Sequence, residues 1–267
     1  METADRPIRR VLVPLDGSPR ARSALLPATT LAKQAGATLE LLTVQSTGGD
    51  WEHDLQALAG STPELEVDTT VVSSGTADEA IADLAAASTG TVICMATRGK
   101  SGLEEALLGS TAARVVRRAN TPVILLGPRA QAMDPAPAYT ELVACMSGAE
   151  RAEAMLPVVR GWARRLGTSI ELVHGVGETN DHDRTVAVTK RLDTLATEKA
   201  PEHLHATVYV VRGSTPAHGL AQHLERRDQC LAFVVVRRGA RMARLLPGGV
   251  TAELLQRAPV PIVVLAA

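Results

Sequence analysis

The sequence contains two copies of one unit, and this repeat limits the folds open to the chain. Residues 11–17 are Val-Leu-Val-Pro-Leu-Asp-Gly, and residues 142–148 are Leu-Val-Ala-Cys-Met-Ser-Gly. In both copies a segment with helical periodicity follows, ends in glycine and leads to a strand pattern, at 39–44 and at 170–174. Both copies close with Ala-x-x-Pro and an apolar strand. Because 267 residues is long for one domain, the repeat predicts two domains of similar size.

Each copy fits five strands that alternate with helices. The first, fourth and fifth strands are nearly continuous apolar runs, which are typical of parallel strands covered on both faces. We therefore predict an α/β fold with two tandem five-stranded parallel doubly wound sheets, Rossmann-like in the order 3-2-1-4-5 and related by a pseudo-two-fold axis. We expect the fifth strands, 123–126 and 262–265, to meet across the interface between two separate sheets. A single continuous sheet would contradict that expectation.

The segment between the copies sets the predicted domain boundaries. A stretch rich in proline and alanine runs from Gly127 to Pro137 and has the composition of a linker. We predict a first domain at 1–127, a linker at 128–140 and a second domain at 141–267.

The composition argues against several classes of partner. Aromatic residues make up only 2% of the chain, so platforms that stack the bases of single-stranded nucleic acid are not expected. The net charge of −1 gives no global field that would attract nucleic acid or a membrane surface. Cys94, Cys145 and Cys230 lie in or beside apolar runs, which indicates reduced core residues. Because the N-terminus is polar and no apolar run reaches ~18 residues, we expect a cytoplasmic protein without a membrane span.

Residues 96–110, Ala-Thr-Arg-Gly-Lys-Ser-Gly-Leu-Glu-Glu-Ala-Leu-Leu-Gly-Ser, are the most informative segment for function. They follow the apolar run 91–95 and precede an amphipathic helix pattern at 111–118. Glycines let a backbone approach an anion closely, and a helix start offers unpaired N–H groups and a positive dipole end. Ser110 is placed to cap that helix or to donate its hydroxyl to a phosphate oxygen. The alternative is an ordinary strand-to-helix connection whose glycines only make the turn.

The expected strand order brings this loop next to the end of the first strand. Ligands of open α/β sheets bind beyond the carboxyl ends of the strands, where the strand order reverses. With the order 3-2-1-4-5, the first and fourth strands flank that point, so Asp16 and the pair Arg98-Gly99 would meet in one crevice. This placement favours a phosphate site, although Asp16 as a plain Asp-Gly turn residue stays open.

These residues resemble the universal stress protein family in tandem form, and the resemblance covers nearly the whole chain. It rests on Val-Pro-x-Asp-Gly-Ser at 13–18, on Leu-Ala-x-x-x-Gly-Ala at 31–37 and on the closing Pro-Val-Ile-Leu-Leu at 122–126. Above all it rests on the family's nucleotide motif, Gly-two-Gly-nine-Gly-Ser/Thr, which residues 99–110 match from its second glycine onward. The first glycine of the motif is replaced by Ala96, whose extra methyl group could crowd a ribose.

The resemblance implies both a function and a set of site residues. Asp16 would hold the ribose, the backbone near Val44 would meet adenine, and Gly99, Gly109 and Ser110 would hold the phosphates. The implied cofactor is ATP, with or without magnesium, and the implied role is that of a stress-response or regulatory module. No catalytic residue and no metal ligand from the protein is expected. The expected site residues are Asp16, Val44, Ala96, Arg98, Gly99, Gly109, Ser110 and Thr111.

The second copy lacks several of these features. Ser147 stands where the first copy has Asp16, and Val236 is aligned with the first glycine of the motif. The following loop has eight rather than nine residues between its glycines, and no serine comes after them. Arginines crowd this loop at 237–244, which fits either an altered anion site or a solvated basic surface. We therefore expect about one ATP per chain, bound by the first copy.

Three classes of function remain open at this stage. The first is a nucleotide-binding regulatory protein, and the second is a slow ATPase or adenylyl-transferring enzyme, for which the sequence positions no base or nucleophile. The third is a nucleotide-free interaction scaffold, which Ala96 favours. A P-loop is not expected, because that motif needs a glycine where this chain has Cys94 inside a strand. A homodimer and an unidentified protein partner are compatible with all three classes.

Overall fold

The structure is a computed structural model that describes residues 7–44, 51–97, 108–130, 138–146, 150–178, 182–198, 206–236 and 249–266. Strands and helices alternate through both halves. The first half contains β1 Arg10–Pro14, α1 Pro19–Arg22, α2 Leu25–Ala35, β2 Thr38–Val44, α3 Trp51–Gly60, β3 Val67–Val72, α4 Ala77–Ala86, β4 Thr91–Ala96, α5 Ser110–Arg118 and β5 Val123–Leu126. The second half contains β6 Glu141–Met146, α6 Glu150–Leu166, β7 Ser169–Gly177, α7 His182–Glu198, β8 Ala206–Gly213, α8 Pro216–Leu224, β9 Cys230–Val236, α9 Val250–Arg257 and β10 Ile262–Ala266.

The strand order confirms the predicted fold class. The first half has the order β3-β2-β1-β4-β5, and the second half repeats it as β8-β7-β6-β9-β10. Neighbouring strands within each half are parallel. The carboxyl ends of β1 and β4 therefore meet at the point where the order of the first sheet reverses, as the sequence predicted.

The two sheets are joined into one, which corrects the expectation of separate sheets. The fifth strands do meet, but they pair antiparallel, with Ile262 opposite Leu125 and Val264 opposite Val123, so that ten strands form a continuous sheet. The physical reason is that both strands are buried apolar edges with unpaired backbone groups. Side-by-side pairing satisfies those groups, whereas face-to-face packing would leave them without partners in an apolar interface.

Helices cover both faces of the sheet and bury its apolar strands. One core layer lies under α2, α3, α6 and α7, and the other lies under α4, α5, α8 and α9. The most central strands, such as β9, are buried along their whole length, which explains their uninterrupted apolar sequences. The three cysteines are free and buried, and burial raises the pKa of each thiol. None of the helices in the described part of the chain combines the length and apolarity needed to cross a bilayer.

Side chains from both halves interlock where α2 meets the start of the second half. The Gln34 side chain accepts from the Tyr139 N–H and donates to the Tyr139 carbonyl, both at 2.8 Å. The Tyr139 hydroxyl donates to the Pro27 carbonyl at 3.2 Å, and the Arg165 guanidinium donates to the Ala35 carbonyl at the end of α2. Tyr139 is thus a buried core residue, although it lies at the C-terminal end of the predicted linker. The domain boundaries themselves stay a prediction.

Both halves bury a carboxylate at the same place on their second strand, but they neutralise it differently. Glu40 in β2 forms an ion pair with Arg10 of β1, at 2.6 Å. Its counterpart Glu171 in β7 accepts two hydrogen bonds from Arg227, at 2.6 and 2.7 Å, because the position equivalent to Arg10 is Glu141. The repeated fold therefore keeps the buried charge while its partner has moved to another element.

Candidate functional site

A cavity opens at the carboxyl ends of β1, β2 and β4, and we call it the site cavity. Its volume is about 240 Å³. Strand ends form its floor, the start of α4 forms one wall and the start of α5 forms another. Its lining consists of Pro14, Leu15, Asp16, Ala21, Leu42, Val44, Ala77, Ile81, Met95, Ala96, Thr97 and residues 109–112.

The structure brings together every expected site residue that it describes. These residues come from four separate parts of the sequence and all line the site cavity: Asp16, Val44, Ala96, Gly109, Ser110 and Thr111. The other two expected residues, Arg98 and Gly99, lie outside the described residues. Sequence reasoning missed the contribution of α4, whose Ala77 and Ile81 give the cavity an apolar wall opposite the strand ends. The sequence shows that these two residues lie on one apolar face of a helix, but it does not show that this face points toward the cavity.

Asp16 is held in place by the extension of β1 beyond its last residue. The Leu15 N–H donates to the Leu42 carbonyl at 2.7 Å, and the Thr43 hydroxyl donates to the Leu15 carbonyl at 3.1 Å. The Asp16 carboxylate then accepts from the Ser18 N–H at 2.9 Å and from the Ser18 hydroxyl at 2.6 Å. The turn therefore fixes a carboxylate at the mouth of the crevice.

The start of α5 presents unpaired backbone donors to the site cavity. Gly109 is the N-cap, with φ −60° and ψ 152°, and it supplies no side chain to satisfy the first turn. The first hydrogen bond of the helix joins the Ala113 N–H to the Gly109 carbonyl at 3.0 Å, so the N–H groups of 110–112 have no partner within the helix. The first turn carries no acidic residue, and the last turn carries two arginines. The positive end of the helix dipole thus faces the cavity.

Of the two roles that the sequence allows for Ser110, capping of this helix is wrong. Ser110 is the first helical residue rather than the residue before it, and no side chain forms a capping hydrogen bond at this end. A cap must adopt extended backbone geometry just before the helix, and Gly109 occupies that position. The Ser110 side chain is exposed, which leaves the other possibility raised by the sequence, donation of its hydroxyl to an anion.

The two ends of the loop that follows β4 are pinned together. The Thr97 N–H donates to the Leu126 carbonyl of β5 at 2.9 Å, and the Gly109 N–H donates to the Thr97 carbonyl at 2.6 Å. The second bond places the start of α5 directly against the end of β4. The glycine-containing loop therefore leaves and returns at the mouth of the site cavity.

A buried ion pair ties the two helices that flank the site cavity. The Asp78 carboxylate at the start of α4 lies 2.8 Å from the Arg114 guanidinium and 2.8 Å from that of Arg118, both on α5. Burial raises the pKa of this carboxyl, but the charge and hydrogen bond of Arg114 outweigh burial, so the pKa lies below its ordinary value. Asp78 is therefore charged near neutral pH and holds α4 and α5 at a fixed separation.

The second half arranges the same elements differently. The strand register places Val235 opposite Leu265 just as Ala96 lies opposite Leu126, so Val235, rather than Val236, is the counterpart of Ala96. The first turn of α9 contains Glu253, whose carboxylate accepts from the Thr215 hydroxyl at 3.0 Å. The first turn of α9 therefore carries a carboxylate, which the first turn of α5 lacks. Ser147 and the arginines at 237–244 lie outside the described residues.

Taken together, the fold and the site define an α/β protein in which an uncapped helix start lines a cavity at the point where the strand order of the first half reverses. Residues 7–127 match the family model described as "Universal stress protein family". No protein with a curated description matches the chain. The N-terminal half therefore matches the universal stress protein family, and the fold of the chain contains the unit of that half twice.

Solved structures share this fold over nearly the whole chain. A universal stress protein from Archaeoglobus fulgidus DSM 4304 is 19% identical, with a TM-score of 0.66, covering 96% of this chain and 98% of that one. A functionally unknown protein from Pseudomonas aeruginosa PAO1 is 17% identical, with a TM-score of 0.67, covering 97% of this chain and 92% of that one. Sequence identities this low establish the tandem fold only, so the function has to be argued from the site.

Proposed function

We propose that this chain is a nucleotide-binding regulatory protein that binds one ATP in the site cavity of its N-terminal half. The observation that carries the proposal is the start of α5, where three backbone N–H groups without a helical partner line a cavity that also contains Asp16. A helix start of this kind attracts anions, and phosphate is the commonest anion bound in this way. The family match of residues 7–127 supports the same assignment, because the sequence resemblance implies an adenine nucleotide.

The cavity divides into regions that suit the three parts of the nucleotide. The phosphates would lie against the backbone of Gly109, Ser110 and Thr111, completed by Arg98 and Gly99. The ribose would lie beside the Asp16 carboxylate, which accepts hydrogen bonds from hydroxyl groups. Adenine would pack near the end of β2, against an apolar wall formed by Val44, Ala77 and Ile81. The described residues contain no cluster of three metal-ligating side chains, so any magnesium would be carried by the phosphates.

A nucleotide-free interaction scaffold is the second candidate, and two observations favour it. Ala96 lines the cavity with a methyl group where the family motif has glycine. The volume of about 240 Å³ is also below the ~300 Å³ at which ligand pockets usually begin. A slow ATPase is less well supported, since the described lining contains one carboxylate, Asp16, and no histidine or cysteine that could act as a base or nucleophile.

Calorimetric titration with ATP, AMP and adenosine tests the proposal. We expect about one ATP per chain, and we expect Asp16→Ala to weaken ATP and AMP by a similar factor, because both carry the ribose. Ser147→Ala, at the equivalent place in the second half, is the matched control and should change neither affinity. If no nucleotide binds or shifts the melting temperature, the scaffold is the better account. Selective loss of ATP with AMP spared would instead assign Asp16 a metal-linked role, and phosphate release would reveal an ATPase.

A further inference from the structure

A larger cavity lies between the two halves, on the opposite face of the sheet from the helices α4 and α5. We call it the inter-half cavity, and its volume is about 450 Å³. Its floor is formed by the residues that precede β1 and β5 in the first half, and α6 of the second half covers it. Its lining is mostly apolar, and the side chains that matter here are Ile8, Thr121, Pro157, Val158 and Trp162.

The pseudo-two-fold axis relates this cavity to a place that is filled. Arg10 and Glu141 are equivalent because they pair with Thr38 and Ser169, the first residues of β2 and β7. Two residues before each of them stand Ile8 and Tyr139, which are therefore also equivalent.

The helices that cover these two places correspond in the same way. α2 and α6 both end before a glycine with positive φ, Gly36 at 59° and Gly167 at 68°. Counting back nine residues from each glycine makes Pro27 of α2 the counterpart of Val158 of α6. The contact of Tyr139 in the second half with Pro27 in the first half therefore corresponds to the space between Ile8 in the first half and Val158 in the second.

A tyrosine ring fills the first of these places, whereas the second is open. Tyr139 is fully buried against α2, and its hydroxyl donates to the Pro27 carbonyl at 3.2 Å. Isoleucine at position 8 is buried too, but it is shorter and carries no ring. Ile8 and Val158 both border the inter-half cavity, so the space between Ile8 and α6 is not filled by a side chain. A space lined mostly by apolar side chains can take up a small ring.

Two polar groups at the inter-half cavity could receive a hydroxyl. Pro157 lies inside α6 and has no N–H, so the Glu153 carbonyl lacks its ordinary helical donor, and both residues line the cavity. Thr121 also lines the cavity, and its buried hydroxyl has no hydrogen-bond partner among the described residues. A mostly apolar space is complementary to a ring that carries one hydroxyl group when its wall includes a helix carbonyl without its usual donor and a threonine hydroxyl without a partner among the described residues.

We propose that the inter-half cavity is a second ligand site, separate from the proposed nucleotide site, which binds a small phenol at the position that the pseudo-two-fold axis relates to the one filled by Tyr139. The ring packs against Ile8, Val158 and Trp162, and the hydroxyl bonds to the Glu153 carbonyl or the Thr121 side chain. Because this cavity joins the two halves, its occupancy stabilises their association.

p-Cresol, the side chain of tyrosine without its backbone, is the probe. Trp51→Phe leaves Trp162, which lines the cavity, as the remaining tryptophan, so its fluorescence should change in a saturable way as p-cresol is added. Toluene has the same ring without the hydroxyl and should bind about fivefold more weakly, the effect of one hydrogen bond. If Trp162 does not respond to p-cresol in a saturable way, or if toluene binds equally well, the proposal is wrong.

Substitutions at the two equivalent positions, Ile8 and Tyr139, provide the decisive controls. Ile8→Tyr should fill the cavity and abolish p-cresol binding, while a titration with ATP shows whether the fold and the other site remain. Tyr139→Ala should open the equivalent place and raise the stoichiometry of p-cresol from one to two per chain. The assignment is wrong if Ile8→Tyr still binds one p-cresol per chain, or if Tyr139→Ala binds no more than one.

Discussion

The two halves share one fold, but they treat the space between the second strand and the following helix in opposite ways. In the first half Val44 at the end of β2 lines an open cavity together with Ala77 and Ile81 of α4. In the second half the counterpart of Val44 is Gly175, and a methyl group built there would lie 2.6 Å from the Pro216 carbonyl oxygen of α8. α8 has thus closed onto its sheet where α4 stands away from it.

A second glycine completes this closure. Gly219 lies four residues after the N-cap Thr215, as Ala80 lies four residues after the N-cap Thr76. A methyl group at Gly219 would come within 2.9 Å of the Arg212 backbone. The first half has side chains at both places, and a cavity lies between the end of its second strand and α4. The site therefore depends on the spacing between the helix layer and the sheet as much as on polar residues.

The starts of the two corresponding helices also differ in charge. The first turn of α5 is free of acidic residues, and Arg114 is paired with Asp78. The first turn of α9 contains Glu253, which is close to Arg257 and accepts from Thr215. A carboxylate at a helix start uses the positive dipole end that an anion would otherwise occupy. The second half therefore lacks both the space between its second strand and α8 and the uncompensated positive potential at the start of α9.

The largest expected effect comes from a branched side chain at the helix start. Gly109→Val should weaken ATP by about a hundredfold or more, because the side chain would stand where the backbone meets phosphate and several charge-assisted hydrogen bonds would be lost. Adenosine should be affected far less. Gly249→Val makes the same change at the N-cap of α9 and should leave ATP binding unchanged in calorimetry. Equal losses from both variants would show that the halves are not functionally different.

A methyl group at the closed interface should mainly affect stability. Gly175→Ala places a side chain against the Pro216 carbonyl, a backbone atom that cannot rotate away, so the free energy of unfolding should fall by about 2–3 kcal/mol. Gly60→Ala is the matched control, since its added methyl group meets no atom within 4 Å. Urea denaturation of both variants measures the difference. A neutral Gly175→Ala would mean that α8 can move outward and that the second cavity can reopen.

The Asp78 ion pair should show a pH dependence of defined sign. Because Arg114 holds the pKa of Asp78 below its ordinary value, the pair stabilises the folded state above about pH 4 and loses this effect as the pH falls through the folded-state pKa. Asp78→Asn should therefore cost about 1–2 kcal/mol at neutral pH, and the cost should shrink in acid. It should also weaken ATP, because α4 and α5 would separate. Ala217, the counterpart in α8, carries no charge, so Ala217→Ser should show no such pH dependence.

The smallest expected effect concerns the Ser110 hydroxyl. Ser110→Ala should weaken ATP by about 1 kcal/mol, because it removes one hydrogen bond and leaves the backbone donors of α5 in place. Unfolding should be unchanged, since Ser110 is exposed and does not cap the helix. Titration of ATP and AMP with this variant measures the loss. A loss of stability as large as the loss of affinity would show that the hydroxyl has a structural role.

Much of the fold and part of the site could be predicted from short-range patterns. Apolar runs such as 123–126 indicate the strands, and glycines mark the ends of helices. The repeat indicates that the same series of strands and helices occurs twice. The meeting of Asp16 with the start of α5 also followed, because the strand order decides which loops share an edge. The sequence left two roles open for Ser110, because a serine just before a helix and a serine at the first position of a helix look alike in sequence.

Periodicity and residue type at fixed spacing are enough to specify the class of fold, the number of units and the degeneracy of the second motif. The folded molecule adds that the ten strands form one sheet, that glycines at 175 and 219 bring α8 onto the second half of the sheet, and that a cavity remains at Ile8 where its counterpart Tyr139 is packed. Each of these depends on distances between elements far apart in the chain. Such distances are set by packing and by the pairing of buried backbone groups, which no local pattern records.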